Sequence, residues 1–320
     1  MAQREWTPKD PSVAFFPVEL RPLYMKGSDS KDKFNRLPRH YAVVDIENNH
    51  PFSVVTDDYR LITNKEAYEQ AGDIMKQVFQ MTNIDEMACL NVTMPKTCSF
   101  CHIDLVHQSA TFSPWEKDKW SAFLRITNNY NRTRLLRYEL GFCRWICLNG
   151  MIFGAKSIEF SYAHTRRGTD QIKRFAENIG DIRRLETQLT EKLRQLKRFY
   201  VPEKKMFPLL CRVFDIKVTD DVFQKPKRIK ALKNFRDQAQ ELINQYFYEM
   251  GPHGYSALNV LTDFASRPKG FIAPETQIHS LQQKCGSWME NFVSAVQKPD
   301  FSFDSYLKNY HETAEIIESL

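Results

Sequence analysis

Cys98-Ser-Phe-Cys101-His102 is the segment whose residue types come closest to reactive chemistry. Two thiolates three positions apart can share one zinc ion, and the same pentapeptide formally spells a covalent haem attachment. A zinc site needs about four ligands. Cys143 and Cys147, or His107, would supply the rest if their hairpins were neighbours. Haem attachment belongs to exported proteins, and Met1-Ala-Gln-Arg-Glu-Trp-Thr-Pro8 has no apolar signal core. The expectation is therefore no cofactor and no bound metal. Cys101 reads as a small apolar residue on a strand and Cys98 as a turn residue.

His164-Thr165-Arg166-Arg167 follows an expected strand and precedes an expected helix. A histidine there could act as a base or, with Arg166 and Arg167 beside a helix start, contact an anion. The acidic pairs Asp57-Asp58 and Asp220-Asp221 could hold a divalent metal, but turns and helix starts select Asp for local reasons. No phosphate-binding glycine loop, dinucleotide fingerprint, nucleophile elbow or zinc-protease His-Glu pair occurs. Catalysis is thus the minority reading, with no catalytic residue assigned. The stronger signal is electrostatic. Lys225, Lys227, Arg228, Lys230, Lys233 and Arg236 place six cations in about three helical turns. They crowd a helix amino terminus, where the macrodipole disfavours positive charge; a phosphate or an acidic partner would compensate them, the other reading being the solvated face of an ordinary helix. Arg132 and Arg134 in a loop, and Arg144 beside Asn149-Gly150, extend the set, although Arg144 could equally face a carboxylate partner. Tyr130, Trp145 and Tyr162 could stack on bases, but aromatics in such strands are more often core.

These side chains need a scaffold. Ala122, Leu124 and Ile126 alternate with Ser121, Phe123, Arg125 and Thr127, the period of a half-buried strand. Ile158, Phe160 and Tyr162 alternate likewise, and Asn149-Gly150 reads as the tightest turn. Upstream, Tyr41–Ile46 and Phe52–Val55 read as a hairpin. Asn64 stands where a helix N-cap belongs, followed by Ala67, Ala71, Ile74, Met75 and Val78 at helical spacing. Met87–Met94 and Ser99–Val106 form a second hairpin turned at Pro95-Lys96. Downstream the chain turns helical. A leucine stripe runs from Asp170 to Tyr200, and further helices are expected over 206–216, Pro226–Met250, Ser256–Ala265, Thr276–Val296 and Ser305–Ser319.

The Asn-Tyr-Asn loop, Arg144, Cys147-Leu-Asn149-Gly150 and His164-Thr165 together resemble the phage and plasmid proteins grouped as domain-of-unknown-function family 932. Tyr59-Arg60, Asn64, Glu66-Ala67 and Gly254-Tyr-Ser-Ala-Leu-Asn259-Val-Leu-Thr262 match as well, so the resemblance spans about residues 53–268. Members usually carry Ser-x-Asp-Gly where this chain has Asn129-Tyr130-Asn131-Arg132. The resemblance implies a mobile-element setting, without a settled activity, and it draws attention to His164.

The chain has 320 residues, 42% of them hydrophobic, enough for a real core. Its 45 Lys+Arg against 39 Asp+Glu give a net charge of +6, compatible with nucleic acid without requiring it. Seven cysteines are odd in number and sparse, which suits reduced thiols in a cytoplasmic protein. No run of apolar residues is long enough to span a membrane. The reading is an α+β fold: an extended amino-terminal arm over 1–40, a twisted antiparallel sheet with one packed helix over 41–167, and a helical region over 168–320. The leucine stripe and the apolar arm favour a homo-oligomer. The leading function is a non-enzymatic phage or mobile-element protein that binds nucleic acid during replication or recombination. The alternative is a phage-encoded anti-defence inhibitor that encloses a host defence nuclease complex by protein contacts.

Overall fold

In the computed structural model the described residues are 7–26, 34–80, 86–145, 148–152, 159–162, 182–219, 223, 225–269 and 274–320. The fold is α+β, with antiparallel sheets in the amino-terminal half followed by helices. Strands β1 (Val18–Lys26), β2 (Phe34–Asp45) and β3 (His50–Thr56) form a three-stranded sheet in that order. Of the arm expected over 1–40, residues 18–26 and 34–40 are strand and Pro11–Ala14 is a 3-10 helix. The boundary placed at residue 41 falls inside β2. Pro22 and Pro38 sit where the β1–β2 register slips, with Arg39 left-handed at φ 61°. The arm docks on its own chain, with Phe15 edge-on to Tyr68 at 5.3 Å and Phe16 edge-on to Tyr130 at 5.7 Å.

The second sheet has seven strands: β4 (Met87–Thr93), β5 (Phe100–His107), β6 (Phe112–Trp115), β7 (Asp118–Asn129), β8 (Leu136–Arg144), β9 (Asn149–Ile152) and β10 (Glu159–Tyr162). The path is β10-β8-β7-β5-β4. β6 pairs with the start of β7, and β9 with the end of β8. The alternation of β7 sorts the two faces. Ala122, Leu124 and Ile126 join the main core together with Ala67, Ala71, Ile74 and Met75 of α1 (Asn64–Phe79), while Phe123 packs with Ala88, Leu90, Val106, Cys143 and Ile152.

α1 starts one residue earlier than expected. Thr63 is its N-cap and forms a capping box with Glu66, an arrangement worth about 1 kcal/mol. Asn64 is buried and spends its amide elsewhere, donating to the Ala14 carbonyl at 2.8 Å and accepting from Asn128 at 2.9 Å. The Asn149-Gly150 turn is also corrected. The left-handed residue is Leu148 at φ 55°, and Asn149-Gly150 already belongs to β9. Gly150 is needed for space, because a Cβ there would stand 3.3 Å from Phe123 and from the Gln282 amide.

The helical half comprises α2 (Ile182–Arg198), α3 (Met206–Phe214), α4 (Pro226–Met250), α5 (Gly254–Ser266), α6 (Pro274–Val296), α7 (Phe303–Leu307) and α8 (His311–Glu318). The helix expected over 305–319 is split by a 3-10 turn, Lys308–Tyr310. There the Tyr310 hydroxyl turns to donate to Asp215 at 3.0 Å. α5 is the axis of this half, with every residue from Gly254 to Ala265 buried. Leu189, Leu193 and Leu196 of α2 are buried within the same chain, so this described part of the stripe serves the internal core and not a second copy. Residues 170–181, where the stripe was expected to begin, lie outside the described residues.

α2 and α5 meet closely at Gly254, where a Cβ would approach the Leu196 carbonyl to 2.9 Å. Gly254→Ala should cost about 1–3 kcal/mol, the usual range for overpacking a rigid contact. Chemical denaturation shows this as a lower midpoint with an unchanged slope.

Candidate nucleic-acid interface

The cationic segment forms the first turns of α4. Pro226 occupies the first helical position, and Leu232, Phe235 and Ala239 turn inward. Lys225, Lys227, Arg228, Lys230 and Lys233 are exposed. Lys227, Lys230 and Lys233 follow one another at three-residue spacing and so share one stripe of the helix surface. They pair with no acid among the described residues. The first turn contains no acidic residue and the N-cap no capping side chain, so the partial positive charge of the helix end adds to that of the lysines. Arg228 donates to the Lys217 carbonyl at 2.9 Å, and Arg236 pairs with Asp237 at 2.8 Å. Those two arginines are at least partly engaged within the chain, leaving the lysine stripe as the free charge.

The other expected contacts do not gather on this helix. Arg132 is left-handed at φ 61° and donates to the Val54 carbonyl at 3.0 Å, tying the β7–β8 loop to β3. Arg134 is half-buried, 4.8 Å above the Phe100 ring. Burial and the neighbouring Arg137 lower its pKa. Arg144, for which the sequence allows either a carboxylate or a phosphate, takes the carboxylate and forms an internal joint in place of a nucleic-acid contact. It is 5% exposed, its Nε donates to Asp118 at 2.7 Å and its Nη1 to Asn259 at 3.0 Å. Tyr255 completes the joint by donating to the other Asp118 oxygen at 2.5 Å. Tyr130 is fully buried and offers no ring to a base. Trp145 donates to Ser121 at 2.6 Å. His164, Arg166, Arg167 and Cys147 lie outside the described residues. Cys101 packs in the main core and Cys143 in the cluster on the opposite sheet face, so those two thiols are not placed to share a metal.

A buried polar network carries no sequence motif. On the sheet face opposite α1, Asp104, Arg125 and Glu139 stand in one row across β5, β7 and β8, with His102, Thr127 and Arg137 in the next. Arg125 binds Asp104 with two hydrogen bonds of 2.6 Å and donates to Gln282 of α6 at 2.7 Å. His279 and Gln283 of α6 bind the two oxygens of Glu139 at 2.7 and 2.9 Å. His102 lies 5.4 Å from the His279 ring, nearly parallel to it, and bonds Thr127 at 2.8 Å. Burial holds the His102 pKa well below its ordinary value, reinforced by Arg125, His279, Arg134 and Arg137. Glu139 is lowered despite its burial, because the His279 hydrogen bond and the charges of His279, Arg137 and Arg125 outweigh it. With His102 1% and Glu139 1% exposed, the network clamps α6 to the sheet and is closed to substrate. The period-two pattern of β7 already placed Arg125 and Thr127 on one face, but α6, which supplies the other half, is far away in sequence.

Residues 51–284 match the family described as Domain of unknown function (DUF932). The chain belongs to this family. No curated protein and no solved structure matches it. The match runs from β3 into α6 and takes in both the Asp118–Arg144–Asn259 joint and the clamp on α6. Several residues that carry the likeness to DUF932 proteins are such joints. Besides Arg144, Tyr255 and Asn259, Asn149 bridges Tyr246 at 3.1 Å and Arg267 at 2.7 Å, and Asn64 bridges Ala14 and Asn128. In this chain these residues seat the helices on the sheet. The lysine stripe of α4 falls within the matched span, but among solvent-facing positions. No described helix of the chain is long and apolar enough to cross a membrane.

Proposed function

We propose that the chain binds nucleic acid through the exposed lysine stripe of α4, as a non-enzymatic DNA-handling protein of mobile-element replication or recombination. The observation that carries this reading is the stripe itself: Lys227, Lys230 and Lys233 exposed on a rigid helix whose first turn has no acid to offset them. Phosphates spaced along a strand are the natural counter-charge for such a row, and their binding releases condensed counterions. Oligomeric assembly draws its support from the hairpin end of the three-stranded sheet. There Tyr24, Met25 and Phe34 are exposed by 56, 58 and 66%, more than apolar residues of an unpartnered surface need be. The same apolar end supports the second reading, inhibition of a host defence complex by protein contact.

Light scattering with single-stranded and duplex DNA, at low and moderate salt, tests the proposal. The expected result is a rise in mass at low salt that reverses as salt is added. Lys227→Glu/Lys230→Glu/Lys233→Glu should reduce the slope of log K against log salt on duplex by about 3, at roughly 0.9 for each phosphate no longer neutralised. A defined oligomer that ignores DNA, or a triple variant with wild-type slope, overturns the nucleic-acid reading and leaves the protein-contact one.

A further inference from the structure

A groove of about 760 Å³ opens between α3, α6 and the α7–α8 segment, within the size range of sites for small organic ligands. Trp288, Tyr306 and Tyr310 line it together with Arg212 and Lys284. The Arg212 guanidinium lies 4.0 Å from the Tyr306 ring centroid, so a planar cation is already stacked on an aromatic at the groove wall. Lys284 is held at the wall by donating to the Phe214 carbonyl at 2.9 Å. Trp288 is 5% exposed, and its Nε1 is buried with no acceptor among the described residues. Asp215 lines the groove too, but it is offset: Lys217 pairs with it at 3.4 Å and Tyr310 donates to it.

A chain of contacts links the groove wall to α4. Lys217, whose ammonium faces Asp215, presents its carbonyl to Arg228 at 2.9 Å, and Arg228 belongs to the cationic first turns of α4. Cations that track a backbone, next to aromatic and guanidinium planes that accept a π-face, are the two components of single-strand recognition. A duplex keeps its bases stacked and cannot fill such a groove; an unstacked nucleotide can.

We propose that this groove receives one unstacked nucleotide of a single strand, its base against the Arg212–Tyr306 stack and its backbone leading toward the lysines of α4. The inference rests on the nucleic-acid reading above and narrows it to single strands. It is tested by titrating a poly-dT oligonucleotide and a duplex of the same length against the full chain and its variants at fixed low salt. The wild type should prefer the single strand. Arg212→Ala and Tyr306→Ala should each lower the ratio of single-strand to duplex affinity about tenfold, the loss of one stacked base. Tyr306→Phe, which keeps the ring, should leave the ratio in place. If Arg212→Ala does not fold, Arg212→Lys keeps the charge, lacks the plane and should show the same fall.

A wild type that binds duplex as tightly as single strand overturns the inference, as does an unchanged ratio in the Arg212 and Tyr306 variants. Binding of thymidine monophosphate with no preference between strands also overturns it, since that groove would serve a free nucleotide. In each of these cases the lysine variant can still lose DNA binding, so the broader reading survives the failure of the narrower one. Wild-type protein that binds neither DNA overturns both.

Discussion

Asp118→Ala is expected to lower the unfolding free energy by about 3–5 kcal/mol, the usual consequence of removing one partner from a buried ion pair. Asp118 is 6% exposed and its carboxylate receives Arg144 on one oxygen and Tyr255 on the other. Without it, the Arg144 guanidinium keeps the Asn259 side-chain oxygen Oδ1 but loses the Asp118 carboxylate in a site that water barely reaches. The joint connects β7 and β8 to α5, so the loss should appear as cooperative destabilisation of the whole chain. Arg144→Met combined with Asp118→Leu removes both charges and should recover part of the loss, because desolvation of the pair disappears with it. A single variant costing under about 1 kcal/mol would show that the pair is solvated in solution and that the joint does not hold the sheet to the helices.

Stability should fall steadily as pH drops below about 6.5, the ordinary histidine value. His102 is held neutral in the fold by burial and by the surrounding cations, whereas in the unfolded chain it protonates near that value. The unfolded state therefore binds more protons. The contribution is fully present above about pH 6.5 and is lost as pH falls toward the depressed folded value. Glu139, lowered in the fold by its His279 hydrogen bond and nearby charges in spite of burial, acts in the same direction. Its contribution is present above the ordinary carboxylate range and is lost as pH falls through it. His253, lowered by burial, adds to the upper limb. Each group contributes at most about 1.4 kcal/mol per pH unit within its own window. Urea unfolding from pH 7.5 to 4 should show this decline, and His102→Gln should flatten the part between pH 6.5 and 5. A wild-type stability independent of pH across that range would mean that the His102 site opens to water. Because His279, Gln282 and Gln283 bind the same network from α6, the early loss should be registered by probes on that helix.

Sequence periodicity alone determined most of the elements. The alternation of Ala122, Leu124 and Ile126 with Phe123 and Arg125 named a strand with two different faces, and both faces are found as expected. Pro226 and Gly251 bounded α4, since a proline suits only the first turn and a glycine readily takes the positive φ of 88° observed after the last. The lysine stripe was also legible, because surface charge on a helix needs no partner to be placed. Smaller shifts came from local competition: Thr63 outranked Asn64 as N-cap once the Asn64 amide was claimed by Ala14 and Asn128, and Leu148 took the left-handed turn expected at Asn149-Gly150.

What only the tertiary structure decided is which polar residues face water and which face one another. Arg144 and Lys227 are both cations, yet one closes a buried joint with Asp118 and Asn259 while the other stands in solvent. His102 closes the Cys98–His102 segment and His279 belongs to no motif, and 176 intervening residues separate them, yet their rings lie 5.4 Å apart. The proposed groove is assembled from α3, α6 and the α7–α8 segment, none of which reads as a binding motif by itself. The physical reason is one of range. Helix and strand periods are fixed by a residue's immediate neighbours, whereas burial, ion pairing and the walls of a groove depend on segments brought together only when the helices seat on the sheet.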